Sequence, residues 1–257
     1  MKFRISYFFA VYLIASIAIA QDISQYPVEV KRLLMAYPKT IVGYDGTAIV
    51  LYNGDKIAYT KGTSANHTDL LNSTNLGDIF AYEYKRGLVK DIPKNYDPGR
   101  IRNDKLLKIM YGSTSEEVQK NLTTIIWCPM LVNQKLRVTK VNGVDKQLQK
   151  ISDELDQHPE LKDYLTSSGT FNWRKIRGTE RLSSHSFGTA IDISVKYSNY
   201  WQWDCRCTSE DVDLNYNNKI PQLIVDIFEK YGFIWGGKWY HYDTMHFEYR
   251  PELLIME

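Results

Sequence analysis

The chain lacks an excess of charge of either sign. It contains 32 lysine and arginine residues against 30 aspartate and glutamate residues. Two of the basic residues, Lys2 and Arg4, belong to an N-terminal segment that we expect to be removed, and without these two the count is 30 basic against 30 acidic residues. Proteins that bind nucleic acid carry a basic patch or stripe. The balance therefore argues against nucleic acid as a partner.

Cysteine is also scarce, with three in the whole chain. An odd number leaves at least one thiol unpaired within a monomer. Cys205 and Cys207 stand too close in sequence to bridge each other comfortably, so the disulfide that we consider joins Cys128 to one of them. A cysteine-based metal site is the weaker interpretation, because the pattern has no second cysteine pair.

The N-terminus has no apolar run of the roughly 20 residues that a membrane-spanning helix needs. The run over residues 7–19 is shorter, follows Lys2 and Arg4, and ends at Ala18-Ile-Ala20, an A-x-A cleavage site. These are the three parts of a secretory signal peptide. We predict a signal peptide over residues 1–20, removal of which leaves Gln21 first. The protein is then exported, periplasmic or secreted, with no stable membrane insertion after cleavage.

Helical and strand patterns alternate in the first half of the chain. An amphipathic helix is predicted within residues 22–40, with Pro38 stopping it. Asn53-Gly54 between two apolar runs predicts a β-hairpin with a type I′ turn. Ser113 and Glu116 fit a capping box that begins a short helix. Strands are predicted over residues 123–127 and 136–141.

The second half of the chain continues the mixture. Apolar residues from Val144 to Leu155 recur at intervals of four, three and four, which predicts a helix. Another helix is predicted between Pro221 and Gly232. Residues 169–176 are expected to pair with the strand that carries Asp192. The predicted fold class is therefore α+β, a small antiparallel sheet flanked by helices, with an N-terminal extension that contains a hairpin.

One decapeptide contains residues that can hold and use a metal ion. It follows the pattern S-x-H-x-x-G-x-A-x-D, and near the C-terminus Asp243 stands three residues before His246. Two histidines and one carboxylate form a zinc site with three protein ligands, which leaves the fourth position open for water. The fixed positions of the pattern are Ser183, His185, Gly188, Ala190 and Asp192.

Spacing within the decapeptide requires the chain to turn. Seven extended residues would place Asp192 about 23 Å from His185, at about 3.3 Å per residue. Two zinc ligands must instead lie about 3 Å apart. Gly188 adopts a positive φ without steric cost, so we predict that the chain doubles back there. Ala190 then shares a strand face with Asp192 and leaves room for an ion.

The decapeptide and the downstream Asp-x-x-His-Phe-Glu resemble VanY-like D-alanyl-D-alanine carboxypeptidases and L-alanyl-D-glutamate endopeptidases, zinc enzymes that trim bacterial cell-wall peptides. The resemblance extends from residue 137 to residue 251, and residues before it show none. It implies that His185, Asp192 and His246 bind Zn²⁺ and that Asp243 is the general base. Carboxypeptidase members usually have Glu at the position of Asp243, which favours the endopeptidase branch.

The chain departs from these families at one segment. Their Ser-Gly-Tyr-Arg segment is missing, and Val138-Thr-Lys-Val-Asn142 occupies its place. We therefore assign its role of binding a substrate carboxylate to Arg174, with a solvent-facing strand residue as an equal alternative. Ser183 and His241 are further substrate-binding candidates, although a structural role for His241 stays open. We interpret His67 as a hydrogen-bonded structural residue.

The resemblance divides the chain into a signal peptide (1–20), an N-terminal region of unknown role (21–135) and a zinc peptidase domain (136–257). The expected activity is hydrolysis of peptidoglycan stem peptides, of the L-alanyl-D-glutamate endopeptidase type. Two alternatives are a D-alanyl-D-alanine carboxypeptidase and a zinc-containing cell-wall binding protein without activity. The acid at Asp243 counts against the second alternative.

Overall fold

A computed structural model describes residues 23–64, 66–88 and 91–255, so the predicted signal peptide lies outside the described residues. Within these ranges the fold is α+β, as predicted, with small antiparallel sheets flanked by helices. No helix in the described part of the chain is long and apolar enough to cross a membrane.

The N-terminal extension is a helix followed by a three-stranded sheet. Helix α1 (Val28–Ala36) is followed by strands β1 (Ile41–Tyr44), β2 (Ala48–Leu51) and β3 (Lys56–Ala58), each strand antiparallel to the next. The predicted hairpin is confirmed, because Ile49 lies opposite Ile57.

The turn of this hairpin differs from the predicted type I′. The Leu51 carbonyl accepts a hydrogen bond from the Gly54 amide, and the Leu51 amide donates to the Asp55 carbonyl. Gly54 has a positive φ of 85°, whereas Asn53 does not have a positive φ. A type I′ turn needs positive φ at both central residues, so this is a three-residue loop in which Gly54 supplies the left-handed position.

Four short helices and a two-stranded sheet continue the chain. Thr114 caps the helix that was predicted from Ser113, because its hydroxyl accepts from the Glu117 amide. The carboxylate of Glu117 in turn accepts from the Ser113 amide, so the capping pair lies one residue later than predicted. The elements are α2 (His67–Leu71), α3 (Asp104–Tyr111), α4 (Ser115–Lys120), β4 (Leu122–Trp127), β5 (Gln134–Thr139) and α5 (Val144–Leu155).

A four-stranded antiparallel sheet in the order β6-β7-β9-β8 holds Asp192 of the decapeptide and His246. Its strands are β6 (Ser167–Gly169), β7 (Ala190–Ile193), β8 (Phe233–Trp235) and β9 (His246–Tyr249), with α6 (Trp201–Cys205) and α7 (Gln222–Lys230) between β7 and β8. Phe228 of α7 stacks on Phe247 of β9 at a ring-centroid distance of 3.9 Å. Burial of each such ring stabilises the fold by about 1.5–3 kcal/mol, which fixes one face of the sheet against the core.

The segment before the decapeptide pairs differently from our prediction along part of its length. Gly169 lies opposite Asp192, as expected. Lys175, however, pairs with Leu182, so residues 174–183 form a separate irregular hairpin beside the sheet.

The cysteine pairing predicted from sequence is wrong. Cys205 and Cys207 form a disulfide with a Cα–Cα distance of 5.2 Å, and Cys128 is a free, buried thiol. Arg206 between them has a left-handed φ of 53°, which folds the chain back at the end of α6. The two Cα atoms therefore come within the 4.4–6.8 Å that a disulfide requires.

The boundary predicted at residue 136 does not coincide with a gap in the core. One cluster of buried apolar side chains contains Val30 and Leu33 of α1 together with Ile191 of β7 and Phe247 of β9. Polar contacts also cross the boundary, since Tyr37 donates to Glu252 and Arg102 pairs with Glu248, at 2.6 Å and 2.7 Å. The N-terminal region therefore packs directly against the sheet that positions the site.

Candidate metal centre and active-site cleft

Gly188 is the point at which the decapeptide turns. A short 3₁₀ turn, Ser184–Phe187, holds His185 and ends at Gly188, whose φ is 65°. A Cβ atom at Gly188 would lie 2.7 Å from Leu122 Cδ2 and 3.2 Å from the Thr139 amide nitrogen. Both the backbone conformation and the close approach of β4 and β5 therefore exclude a side chain. The predicted reversal at this residue is confirmed.

The strand register places the other two predicted ligands beside each other. Asp192 of β7 and His246 of β9 are direct cross-strand partners. Directly opposed residues have Cβ atoms about 4.5–5.5 Å apart. The turn before β7 adds His185, which precedes His246 by 61 residues in sequence. All three side chains therefore meet at one end of the sheet.

The three candidate ligand atoms fit one metal ion. Asp192 Oδ1 lies 3.1 Å from His185 Nε2 and 2.9 Å from His246 Nδ1. The two ring nitrogens lie 3.3 Å apart. Ligands bonded to zinc at about 2.0–2.2 Å are about 3.3 Å from one another in a tetrahedron. The residues therefore fit a zinc ion with an open fourth position.

Hydrogen bonds at the far side of each imidazole orient these nitrogens. His185 Nδ1 faces the Thr170 carbonyl at 3.0 Å, and His246 Nε2 faces Glu248 Oε2 at 3.2 Å. When each of these nitrogens donates a proton to its acceptor, the other ring nitrogen has a lone pair for a metal.

Glu248 is a residue whose role the sequence analysis missed. Burial alone would raise the pKa of this carboxyl group, but the charge of Arg102 and the hydrogen bond with His246 hold it well below its usual range. Arg102 Nη2 lies 2.7 Å from Glu248 Oε2. The alternation along β9, which puts Glu248 on the same strand face as His246, was the signal available in the sequence.

The proton affinities reflect the same geometry. Burial alone would lower the pKa of His246, but the hydrogen bonds to Asp192 and Glu248 outweigh burial and raise it to about 10. Burial would likewise raise the pKa of Asp192, yet the neighbouring His185 and His246 lower it. The set attracts positive charge strongly, as a cation site must.

Asp243 stands beside this set at the mouth of the cleft. The residue is partly exposed, but its Oδ1 is buried and has no hydrogen-bond partner among the described residues. Burial and the negative charge of Asp192 raise the pKa of Asp243 to about 7, against smaller opposing effects of His246, Arg174 and Arg100. A carboxylate with this pKa exchanges protons at neutral pH, which suits a general base.

The cleft in front of these residues has a volume of about 540 Å³ and a basic lining. Two of its arginines are paired, Arg100 with Asp97 and Glu210, and Arg102 with Glu248. The other four make no ion pair with an acid in the described part of the chain. These are Arg174, Arg177, Arg181 and Arg206.

Arg181 is the most unusual of the four unpaired arginines. It is half-buried, and its Nε has no hydrogen-bond partner among residues 23–64, 66–88 and 91–255. Burial and the charges of Arg102 and Arg100 lower the pKa of Arg181 to about 10. An uncompensated charge in such a position is costly. An anionic group bound in the cleft would compensate this charge.

The substrate-binding residues predicted from sequence all lie along this cleft. Arg174 is exposed, on the 174–183 hairpin, as either sequence interpretation allows. Ser183 uses its hydroxyl to accept from the His185 amide at 3.4 Å, so it also holds the metal-binding turn. His241 is buried, with its nitrogens facing Asp97 and the Glu210 carbonyl. Their substrate roles stay predictions.

Comparison with known proteins agrees with the motif. Residues 177–249 match the model of a family described as D-alanyl-D-alanine carboxypeptidase. The matched segment contains every candidate metal ligand and Asp243. No curated protein and no solved structure gives a significant match.

Proposed function

Because residues 177–249 match the model of the D-alanyl-D-alanine carboxypeptidase family, we propose that this protein is a zinc-dependent peptidase that hydrolyses peptidoglycan stem peptides. The observation that carries the proposal is the convergence of His185, Asp192 and His246, with ligand atoms 2.9–3.3 Å apart, beside Asp243. A metal-binding triad next to a carboxylate that titrates near neutrality supports hydrolysis of an amide bond.

His185, Asp192 and His246 would hold the zinc ion. When bound, zinc polarises the scissile carbonyl and lowers the pKa of the attacking water. Asp243 takes the proton of that water and passes it to the leaving amine. The buried Glu248 keeps His246 in the tautomer that the metal needs.

The arginines of the cleft orient the substrate. A guanidinium binds a carboxylate through two parallel hydrogen bonds and fixes its direction. Arg174, on the exposed hairpin, holds a substrate carboxylate near the scissile bond, and the unpaired Arg181 adds to the attraction for anionic peptides. The aspartate at position 243, where carboxypeptidase members usually have glutamate, supports the L-alanyl-D-glutamate endopeptidase reaction over removal of the terminal D-alanine.

Incubation of purified muropeptides with the mature protein, followed by mass spectrometry, tests the proposal. Endopeptidase action separates the L-alanine end of the stem peptide from the rest, whereas carboxypeptidase action removes one terminal alanine. Asp243→Ala and a chelator-treated sample are the controls, and both are expected to leave the muropeptides intact. No cleavage by the zinc-loaded protein would favour the alternative of a zinc-containing binding protein.

Export is part of the same proposal, because peptidoglycan lies outside the cytoplasm. We expect N-terminal sequencing of exported protein to begin at Gln21, since Ala18 and Ala20 fit the requirement for small residues at a signal-peptide cleavage site. Exported protein that still begins at Met1 would contradict the signal peptide.

A further inference from the structure

A second group of metal-ligand side chains lies where the N-terminal region meets the sheet domain. It consists of His67 at the beginning of α2, Asp97, Glu210 in the loop after the disulfide, and His241. His67, Asp97 and His241 are buried, and the side chain of Glu210 is 30% exposed. Each residue offers a ligand atom within 4.8 Å of the others.

The spacing in this group is similar to that of the His185–Asp192–His246 set. Asp97 Oδ2 lies 3.1 Å from His67 Nε2 and 2.7 Å from His241 Nδ1. Glu210 Oε2 lies 3.6 Å from His67 Nε2. Zinc ligands in a tetrahedron are about 3.3 Å apart, and the four atoms of this group lie within 4.8 Å of one another, so side-chain rotation has to draw the more distant atoms in to reach one ion.

His67 provides the first independent sign of a missing ligand. Its Nε2 is buried and makes no hydrogen bond within the described residues, although Asp97 Oδ2 and Glu210 Oε2 lie 3.1 Å and 3.6 Å from it. Its other nitrogen, Nδ1, faces the Tyr82 hydroxyl at 3.4 Å. A metal-binding histidine has this arrangement, with one nitrogen free for the ion and the other held by a hydrogen-bond partner.

His241 provides the second sign, because both of its ring nitrogens face acceptors. Nδ1 lies 2.7 Å from the Asp97 carboxylate, and Nε2 lies 2.9 Å from the Glu210 carbonyl. A neutral imidazole has one N–H and can satisfy only one of them. With Nε2–H donating to the carbonyl, Nδ1 is left with a lone pair beside Asp97 Oδ2, the same oxygen that lies 3.1 Å from His67 Nε2.

Arg100 already occupies one side of the cluster. Its guanidinium lies 2.7 Å from Asp97 and 2.7 Å from Glu210 and cancels one of their two negative charges. Arg100, Asp97 and Glu210 together carry one net negative charge, so a divalent ion would give the group one net positive charge. The same ion beside Asp192, with neutral His185 and His246, would also give one net positive charge. The competing state has a proton in place of the ion, since Asp97 and Glu210 outweigh burial and raise the pKa of His67.

We propose that His67, Asp97, Glu210 and His241 bind a second divalent transition-metal ion of the zinc class. Two imidazoles and two carboxylates complete a four-ligand set with no open position, which is typical of a structural rather than a catalytic site. The ion joins the N-terminal region to the loop that follows Cys207, and that loop borders the cleft. His241 is then a metal ligand rather than a substrate contact, and residues 23–135 support the shape of the cleft.

The test measures zinc binding by a variant in which the His185–Asp192–His246 site has been removed. The mature protein is expected to bind about two zinc ions, and the double variant His185→Ala/His246→Ala about one. Adding Glu210→Gln to the double variant should weaken the remaining zinc binding at least about tenfold, because an amide is a poorer ligand than a carboxylate. Glu154→Gln, a change to a glutamate that pairs with Lys230 elsewhere, is the matched control and should have no effect.

A second measurement avoids any change to the new site. Titration of the His185→Ala/His246→Ala variant with Co²⁺ should give the visible absorption of a tetrahedral complex that saturates at about one ion per chain. A double variant that binds neither Zn²⁺ nor Co²⁺, or that keeps its affinity after Glu210→Gln, overturns the proposal in favour of a protonated His67. Neither measurement depends on peptidase activity, so this result is separate from that of the proposed function.

Discussion

The two walls of the cleft are built in different ways. On the metal side, Asp192 and His246 are paired on neighbouring strands, and the outer nitrogen of each histidine has a hydrogen-bond partner. On the other side, Arg174 and Arg181 lie on an irregular hairpin and make no ion pair among the described residues. The proposed metal ligands are thus held in place by the sheet and by hydrogen bonds, whereas the proposed substrate-binding arginines have no acidic partner among the described residues.

Among changes to the two walls, loss of a metal ligand should have the largest effect on zinc content and activity. His246→Ala removes one ligand and leaves the buried Glu248 without its imidazole partner, so we expect the variant to lose about one zinc ion per chain and essentially all activity. Elemental analysis after dialysis and a circular dichroism spectrum measure this. His158→Ala, which changes a partly exposed histidine paired with Glu160, is the control. Full zinc content in His246→Ala would remove this residue from the metal site.

Loss of the base should reduce the rate without loss of metal. Asp243→Ala is expected to be folded and zinc-replete, with kcat lower by about 10²–10⁴, the contribution of proton transfer by a positioned side chain. The same zinc analysis and a muropeptide assay measure both quantities. If Asp243→Ala lost zinc while His246→Ala kept it, the ligand and the base would have to be exchanged.

The pH dependence of the rate should report Asp243. Its pKa is raised to about 7, and only the ionised form accepts a proton. Activity should therefore fall as the pH drops through about 7, by about tenfold per unit at lower pH, and a bound divalent cation shifts this limb toward lower pH. A profile of kcat/KM against pH measures it. The limb should be absent from the residual activity of Asp243→Ala, and its persistence there would assign it to another group.

Changes on the arginine wall should have the smallest effect. Arg174→Lys keeps the charge but loses the planar pair of donors, so we expect kcat/KM to fall by about tenfold, with zinc content unchanged. Steady-state kinetics measures this. Arg137→Lys on β5, where the guanidinium lies 5.6 Å from the Phe171 ring centroid, is the matched control. Equal kinetics in both variants would make Arg174 a solvent-facing strand residue.

The centre of the site was predictable because its residues are close in sequence to the elements that position them. Gly188 determines the turn, and alternation along two short strands determines which side chains share a face. The partner strand of residues 174–176 was not predictable, because an irregular hairpin leaves no periodic pattern. Glu248 was visible as a strand neighbour of His246, but its burial depends on Arg102, which is 146 residues away.

The wrong cysteine pairing has a different physical origin. The pairing of Cys205 with Cys207 depends on a left-handed residue that is not glycine, and sequence patterns give little warning of such a conformation at Arg206. The grouping of His67 with Asp97, Glu210 and His241 was not predictable either, because these neighbours come from three distant segments. Contacts of this kind follow from the packing of the N-terminal region and not from local propensity.

The short disulfide also has a consequence for oxidative folding. Two cysteines separated by one residue come into contact through local chain motion, without long-range folding. Cys205 and Cys207 can therefore be joined before the sheet domain has formed. Cys128 cannot readily compete in the folded protein, because burial and the charge of Asp156 raise the pKa of its thiol to about 12 and keep it protonated. The disulfide of the folded protein therefore joins two near neighbours in sequence, and burial keeps the third cysteine from exchanging with it.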